Sequence, residues 1–510
     1  MPRWGLGALV VGASLLVHAP ALGNGFTWLD HGDLEQGAAL AKPGALSDVF
    51  ATPYARTGFY RPLTALTLSL DAAGGPPRFH LTNLLLHALA ALLVFKLGQS
   101  LGLSDFAAAA GALAFSLHTT TSLVANQLTY RGEAMLLCAL LLVLLGQVRR
   151  SAWLAGLGVL LGCFTKETAF VLVPLLMAGL SLWRRPGVAV VGASALAWAA
   201  ALAARLAVGV TWKFQGPPLE GATWVGTRLA VLGRELTWLL WPWRGALCDA
   251  VPISSLTSGP ALQGLAAITV AGVLAWKVRP WGLLALLAAT PMLSLVPIPR
   301  MASPHYLYVP LAFLALALGE WAARERWSRA ALLVLCAALG VSSFVDAGRY
   351  HDDAALFERE VALGPQCREA HLYWGDALRA KGALDDAARA YAIAAEPSPG
   401  FVSYSDEAAA LTNLGVVRME QDRPQDAFEP LSRAHALPAD PRSHRERAYN
   451  LAAAALELQR FPLAESLLRP EAERPDPLPG ALEVLAHAVG AQGREDEAQA
   501  LMARVRATAH

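Results

Sequence analysis

Eleven apolar runs fill the first two thirds of this chain, and a polypeptide patterned that way has few folds open to it. They cover Trp4 to Leu22, His80 to Leu97, Phe106 to Leu123, Ala134 to Gln147, Ala152 to Phe164 and Thr168 to Trp183. Five more follow at Gly187 to Val208, Leu262 to Trp276, Trp281 to Pro297, Tyr306 to Gly319 and Arg329 to Phe344. A straight crossing of a bilayer wants about 20 residues; several runs are shorter, and tilt or local thinning absorbs the difference. Lipid satisfies no backbone hydrogen bond, so the expected fold is an all-α polytopic bundle of about eleven spans. A composition of 55% hydrophobic and 16% charged residues agrees with it.

Short clusters of Lys and Arg prefer the cytoplasmic side. Arg3, Arg149 with Arg150, Arg184 with Arg185, Lys277 with Arg279, and Arg324 with Arg326 and Arg329 all fall on one side of an eleven-span path that begins inside. The stretch "TRLAVLGRELTWLLWPWRG" is read as a Trp-rich interfacial helix, because Arg228, Arg234 and Glu235 interrupt it. A cleaved signal peptide is the alternative for the opening run, since "HAPALG" offers an Ala-x-Ala pattern. Both readings send the loop over residues 23–79 to the far face. The chain is thus expected to be an integral multi-pass membrane protein with its N-terminus in the cytoplasm.

From about Asp346 the composition turns to Ala, Leu, Arg and Glu at helical spacing. Gly375, Ala387, Tyr391, Ala394 and Pro399 fit the positions of a tetratricopeptide helical hairpin, whose small residues let two helices approach closely. Gly415, Ala427, Leu431 and Ala434 repeat the offsets, as do Ala452, Ala464 and Leu468, then Ala486, Ala498 and Met502. Two domains are expected: a transmembrane domain over 1–345 and an extracytoplasmic tail of about four repeats over 346–510. Stacked hairpins form a concave surface suited to a polypeptide partner.

Net charge is +1, and no basic stripe interleaves with aromatics, so a nucleic-acid role is excluded. Cys138, Cys163 and Cys336 lie within apolar runs as small hydrophobes. Cys248 and Cys367 pair only if folding joins them, and no disulfide framework or zinc spacing is expected. No nucleotide-binding loop or nucleophile elbow occurs. The charges cluster at outer span ends, which argues against a transporter.

The stretch "GFTWLDHGDLEQG" opens the long first loop with Asp30, His31, Asp33 and Glu35, and the loop continues with Asp48, Arg56, Tyr60, Arg61 and Asp71. Long loops rich in ionisable groups tend to be functional. Pro62 begins an amphipathic helix, "YRPLTALTLSLDAAGG", expected to lie along the surface. Two clusters meet it at the outer face: His118, Arg131 and Glu133, then Arg300, His305, Tyr306 and Tyr308. Lys166 and Glu167 sit between two apolar runs. A carboxylate beside cations at a water–lipid boundary suits proton abstraction from a hydroxyl while a phosphate departs. Ordinary headgroup anchoring by Arg, Tyr and Trp is the plain alternative.

The order of "YRPLTALTLSLD", "FHLTNLLLHAL", "YRGE", "KE", "YLYVPL" and the repeat tail resembles the transmembrane and tetratricopeptide-repeat-containing O-mannosyltransferases and their bacterial relatives. These belong to the C-type superfamily of lipid-phosphosugar glycosyltransferases. The resemblance implies transfer of a sugar from a polyprenyl-phosphate donor to a protein or other hydroxyl acceptor on the extracytoplasmic face of a bacterial inner membrane. It implies Asp30 as the catalytic base. Arg61, His118, Arg131, Glu133, Lys166 and His305 would bind donor or shape the pocket. No cofactor beyond the lipid-linked donor is expected, and no metal ligands are assigned.

Three departures stand out. Leu29 occupies the first place of the family's acidic pair; Thr119, Thr121 and Leu123 replace residues of its His-Pro-x-His-x-Glu-Ala loop; and Ser303, Pro304 and His305 stand where Asp-Arg precedes "YLYLP". The competing expectation is therefore a non-catalytic, membrane-anchored tetratricopeptide scaffold.

Overall fold

The computed structural model describes residues 3–41, 45–54, 58–210, 219–244, 247, 250–294 and 300–508. The chain divides into two compact units, Met1–Leu363 and Gly364–His510. Apart from two three-residue strands, Ala250–Pro252 and Phe401–Ser403, the described elements are helical.

In the first unit, α1 (Arg3–His18) is followed by the long loop, α2 (Pro62–Asp71), α3 (Gly75–Ser100), α4 (Asp105–Ser116), α5 (Thr119–Asn126) and α6 (Arg131–Val148). Then come α7 (Ala152–Thr165), α8 (Ala169–Ser181), α9 (Val188–Ala207), α10 (Gly221–Leu240) and α11 (Gly259–Lys277). The unit closes with α12 (Trp281–Ala288), α13 (Tyr308–Ala322), α14 (Arg326–Ala347) and α15 (Asp353–Leu363).

Six helical segments are long and apolar enough to cross a membrane, or seven when α4 and α5, bent by 63° at their junction, are taken as one. The expected eleven are thus not reached by length alone. α7, α8, α12 and α13 fall short with 14, 13, 8 and 15 residues, and the end of the run toward Pro297 lies outside the described residues. α10 is absent from the six, because Arg228, Arg234 and Glu235 break its apolar surface.

α2 does begin at Pro62, whose missing N–H removes no helical bond at N1. It is not laid out on a surface as the sequence suggested. Thr64, Ala65, Leu68 and Asp71 form a buried stripe at helical spacing, and Thr64 Oγ1 donates to the Thr165 carbonyl, 3.0 Å away.

Close helix packing depends on small residues. A Cβ added at Gly319 on α13 would collide with the Ala107 carbonyl of α4, and one at Gly111 would lie 2.8 Å from the Ala315 carbonyl. Gly319→Val should therefore destabilise the bundle by about 1–3 kcal/mol through overpacking. Gly272→Val, at a site with open space, should change stability by less than about 0.5 kcal/mol. Thermal denaturation in detergent checks both, and equal melting temperatures for the two variants would contradict the packing.

The second unit begins 18 residues later than the composition change implied, since α15 buries Leu356 and Phe357 within the first unit. It holds four helical hairpins: α16 (Arg368–Ala380) with α17 (Leu384–Ala395), α18 (Glu407–Glu420) with α19 (Pro424–Ala436), α20 (Pro441–Glu457) with α21 (Phe461–Ala472), and α22 (Ala481–Gly490) with α23 (Glu495–Thr508). Each hairpin closes at the small residues the sequence marked. The Gly375 backbone meets the Tyr391 ring, and Gly415 meets Leu431, at distances that leave no room for a Cβ. Arg368 donates to the Ala394 and Ala395 carbonyls, both 2.9 Å away, satisfying the end of α17.

Cys138, Cys163 and Cys336 are free and buried. Cys367 is disulfide-bonded, contrary to the sequence expectation; Cys248 lies outside the described residues.

Candidate functional site

Asp30 enters the fold just ahead of a single π-turn over His31–Glu35, and it is completely buried. Its Oδ1 accepts from Gln127 Nε2 at 2.9 Å and from the Thr129 N–H at 3.2 Å, and its Oδ2 from the Thr27 N–H at 3.4 Å. Burial pushes the carboxyl well above the usual carboxylate range, although the Thr27 and Thr129 N–H groups pull the other way.

His31 beside it is in the reverse condition. Its Nδ1 lies 2.6 Å from Glu35 Oε2 and its Nε2 2.8 Å from Asp353 Oδ2, so both ring nitrogens face carboxylates and both must carry protons. The hydrogen bond to Asp353 comes first, and it outweighs burial to raise the imidazole to about 9. Asp353 also accepts from the Trp28 N–H at 2.8 Å. The first loop is thereby tied to the segment that follows α14.

A second polar group forms where four distant motifs meet. Arg61 binds Glu167 through two parallel bonds, Nε to Oε2 at 2.9 Å and Nη2 to Oε1 at 2.5 Å. Burial alone would raise the Glu167 carboxyl, but Arg61 overrides it and holds the group down at about 2. Lys166 pairs with Glu133. His305 stacks on Tyr130 with centroids 4.3 Å apart, and its Nδ1 lies 2.6 Å from Ser303 Oγ. Burial, then the charges of Lys166, Arg300 and Arg61, hold this imidazole well below its ordinary value. His305 is therefore neutral, and its 3.7 Å approach to Glu133 is a contact rather than an ion pair. The Arg300 guanidinium lies over the Trp28 ring, 4.8 Å from its centroid.

Of the expected site residues, Arg61, Glu133, Lys166 and His305 come together, with Asp30 adjoining them through the Thr129–Tyr130 backbone. Two do not join. Arg131 is fully buried and turned away, its Nη2 2.6 Å from Asp71 Oδ2 and 3.0 Å from the Phe79 carbonyl, its Nε 2.7 Å from Asn83 Oδ1. His118 caps α5 by accepting the Thr120 N–H, and its Nε2 lies 3.2 Å from the Leu239 carbonyl. Arg56 lies outside the described residues.

A cavity of about 260 Å³ opens between the first loop and α2, lined by residues 38–41, Asp48, Val49, Tyr54, Arg61 and Ala65 among others. Asp30 does not line it. Among the described residues, no group of three or more His, Cys, Asp or Glu could hold a metal ion.

Sequence reasoning missed Gln127, Tyr130 and Asp353. Tyr130 sits inside the quoted "YRGE" stretch and was within reach. Asp353, 322 residues from His31, left no signal, because nothing in a tail-like helix start marks a partner that distant.

Asp353→Asn should lower the pH at which His31 titrates, a shift that NMR of the imidazole would read. The sign follows from a folded pKa raised above 6.5: the stabilisation is complete below 6.5 and disappears as pH rises through about 9. Wild-type protein should lose stability across that window while the variant shows a flatter profile. An unchanged His31 titration would refute the clasp.

No family model matches the chain, and no curated protein matches it. Among solved structures, the crystal structure of yeast Tom70 is similar at 12% identity with a TM-score of 0.25, covering 80% of this chain and 96% of that one. A superposition that loose carries no argument about fold or function.

Proposed function

We propose that the protein is a multi-pass membrane protein that works as a docking scaffold, its helical-repeat tail gathering a polypeptide partner outside the cytoplasm. One observation carries the reading: the polar groups that sugar transfer would need are already engaged inside the protein. Asp30 accepts three hydrogen bonds in complete burial. Arg131 is committed to Asp71, and Arg61 to Glu167. Leu29 removes the neighbouring acid altogether. The six helices of membrane-crossing length support the anchor, and the eleven-span path with the N-terminus inside rests on the Lys and Arg clusters.

Transfer of a sugar from a polyprenyl-phosphate donor is the second reading. What favours it is the meeting of Arg61, Glu133, Lys166, Glu167 and His305, drawn from motifs far apart in the chain, next to a cavity that Arg61 lines. Clusters of paired and perturbed ionisable groups concentrate at functional sites.

Two variants separate the readings. Asp30→Asn should leave recovery of the bound partner unchanged, and removal of residues 364–510 should abolish it. Co-purification from membranes measures both. Loss of glycosylation on any acceptor in Asp30→Asn, with membrane insertion intact, would overturn the scaffold reading in favour of the enzyme.

A further inference from the structure

The turns that follow α6 and α8 meet at one end of the first unit, and between them they carry four arginines. Gln147, near the end of α6, donates through Nε2 to the Arg184 carbonyl at 2.8 Å and to the Met177 carbonyl at 3.2 Å, which fixes one turn against the other. Arg149 and Arg150 leave the first turn, Arg184 and Arg185 the second, and all four are exposed. None of these side chains has an ion-pair or hydrogen-bond partner among the described residues. Between Glu133 and Glu220 the one acid in the sequence is Glu167. Glu133 and Glu167 are both engaged at the opposite end, with Glu133 about 24 Å from Arg149 along the α6 axis.

Arg150 supplies an independent sign. Its φ is 53°, the left-handed conformation. The helix end there is closed by the Ser151 N–H on the Gly146 carbonyl at 2.8 Å and the Arg150 N–H on the Gln147 carbonyl at 3.3 Å. Glycine is the usual residue at this position of such a helix end, because a Cβ is strained in it. A charged side chain at a strained position, with no partner inside the fold, points to a partner outside it.

We infer that the two turns hold the headgroup of an anionic phospholipid; the inference rests on the multi-pass path proposed above, which puts these arginines at the cytoplasmic leaflet. A guanidinium fork matches two phosphate oxygens at once, and cations without counter-charges beside a bilayer gather its acidic lipids. The surroundings choose a lipid over a free phosphate. Trp153 and Leu157, one turn apart on α7, are exposed, as are Leu182 and Val188 on either side of the second arginine pair. Acyl chains cover such apolar side chains while the arginines hold the phosphate; a free phosphate engages none of them.

In the test, full-length protein in non-ionic detergent receives phosphatidylglycerol or phosphatidylcholine in mixed micelles, and native mass spectrometry counts the lipid retained. Phosphatidylglycerol should be retained in preference, and Arg150→Gln/Arg184→Gln should weaken its binding by about tenfold or more. Lys277→Gln/Arg279→Gln, which removes equal charge from another turn, should leave binding unchanged. Arg150→Gly should weaken binding yet melt no lower than wild type in lipid-free detergent, since glycine suits the left-handed turn. Equal retention of both lipids, equal loss in the two double variants, a lower melting temperature for Arg150→Gly, or displacement of the lipid by inorganic phosphate would overturn the inference. Carbonate extraction of membranes separates this failure from that of the path. Protein that stays in the membrane without lipid preference removes the inference alone, and release into the supernatant removes both.

Discussion

A guanidinium sealed from water must be paired, and Arg131 imposes that requirement on the whole outer end of the first unit. Asp71, Asn83 and the Phe79 carbonyl receive it, which joins the end of α2, the start of α3 and the start of α6. A buried pair of this kind adds little net stability over apolar packing, but losing either partner strands a charge. The three helices are therefore held in one arrangement. Everything just before Arg131 is fixed as a consequence: Gln127 and Thr129 reach Asp30, and Tyr130 lies flat against His305.

The same logic governs the neighbouring charges. Arg61 and Lys166 each have an acidic partner, Glu167 and Glu133, and His305 is kept neutral among the cations. Burial pushes the Asp30 carboxyl well above the usual carboxylate range. A centre balanced this way is suited to holding loops and helices together. The replacements at Leu29, Thr121 and Leu123 point in the same direction as the geometry. Sequence departures and structural burial are independent observations, and they agree.

The helical hairpins of the tail were legible because their contacts are local: Gly375 and Tyr391 lie 16 residues apart, so one small residue and one aromatic at that spacing state the fold. The convergence of Arg61, Glu133, Lys166 and His305 was legible only through resemblance, since no spacing rule links residues on different helices. The pairing of Arg131 with Asp71 left no signal, because a buried and an exposed arginine look alike in sequence. The domain boundary was placed too early for a similar reason. α15 has the amphipathic composition of the tail, yet Phe357 packs edge-on against Trp28 with centroids 6.4 Å apart. Length alone does not reach the expected count where an apolar run forms a helix of fewer than 16 residues, as in α7, α8, α12 and α13.

The protonation state of Asp30 separates the docking reading from the transfer reading. Infrared difference spectroscopy of wild type against Asp30→Asn, at neutral pH in detergent, reads that protonation directly. A protonated carboxyl C=O band lost in the variant is the predicted result. An ionised carboxylate signature from Asp30 would mean that a base is poised at this site after all, and the scaffold account would give way to transfer chemistry.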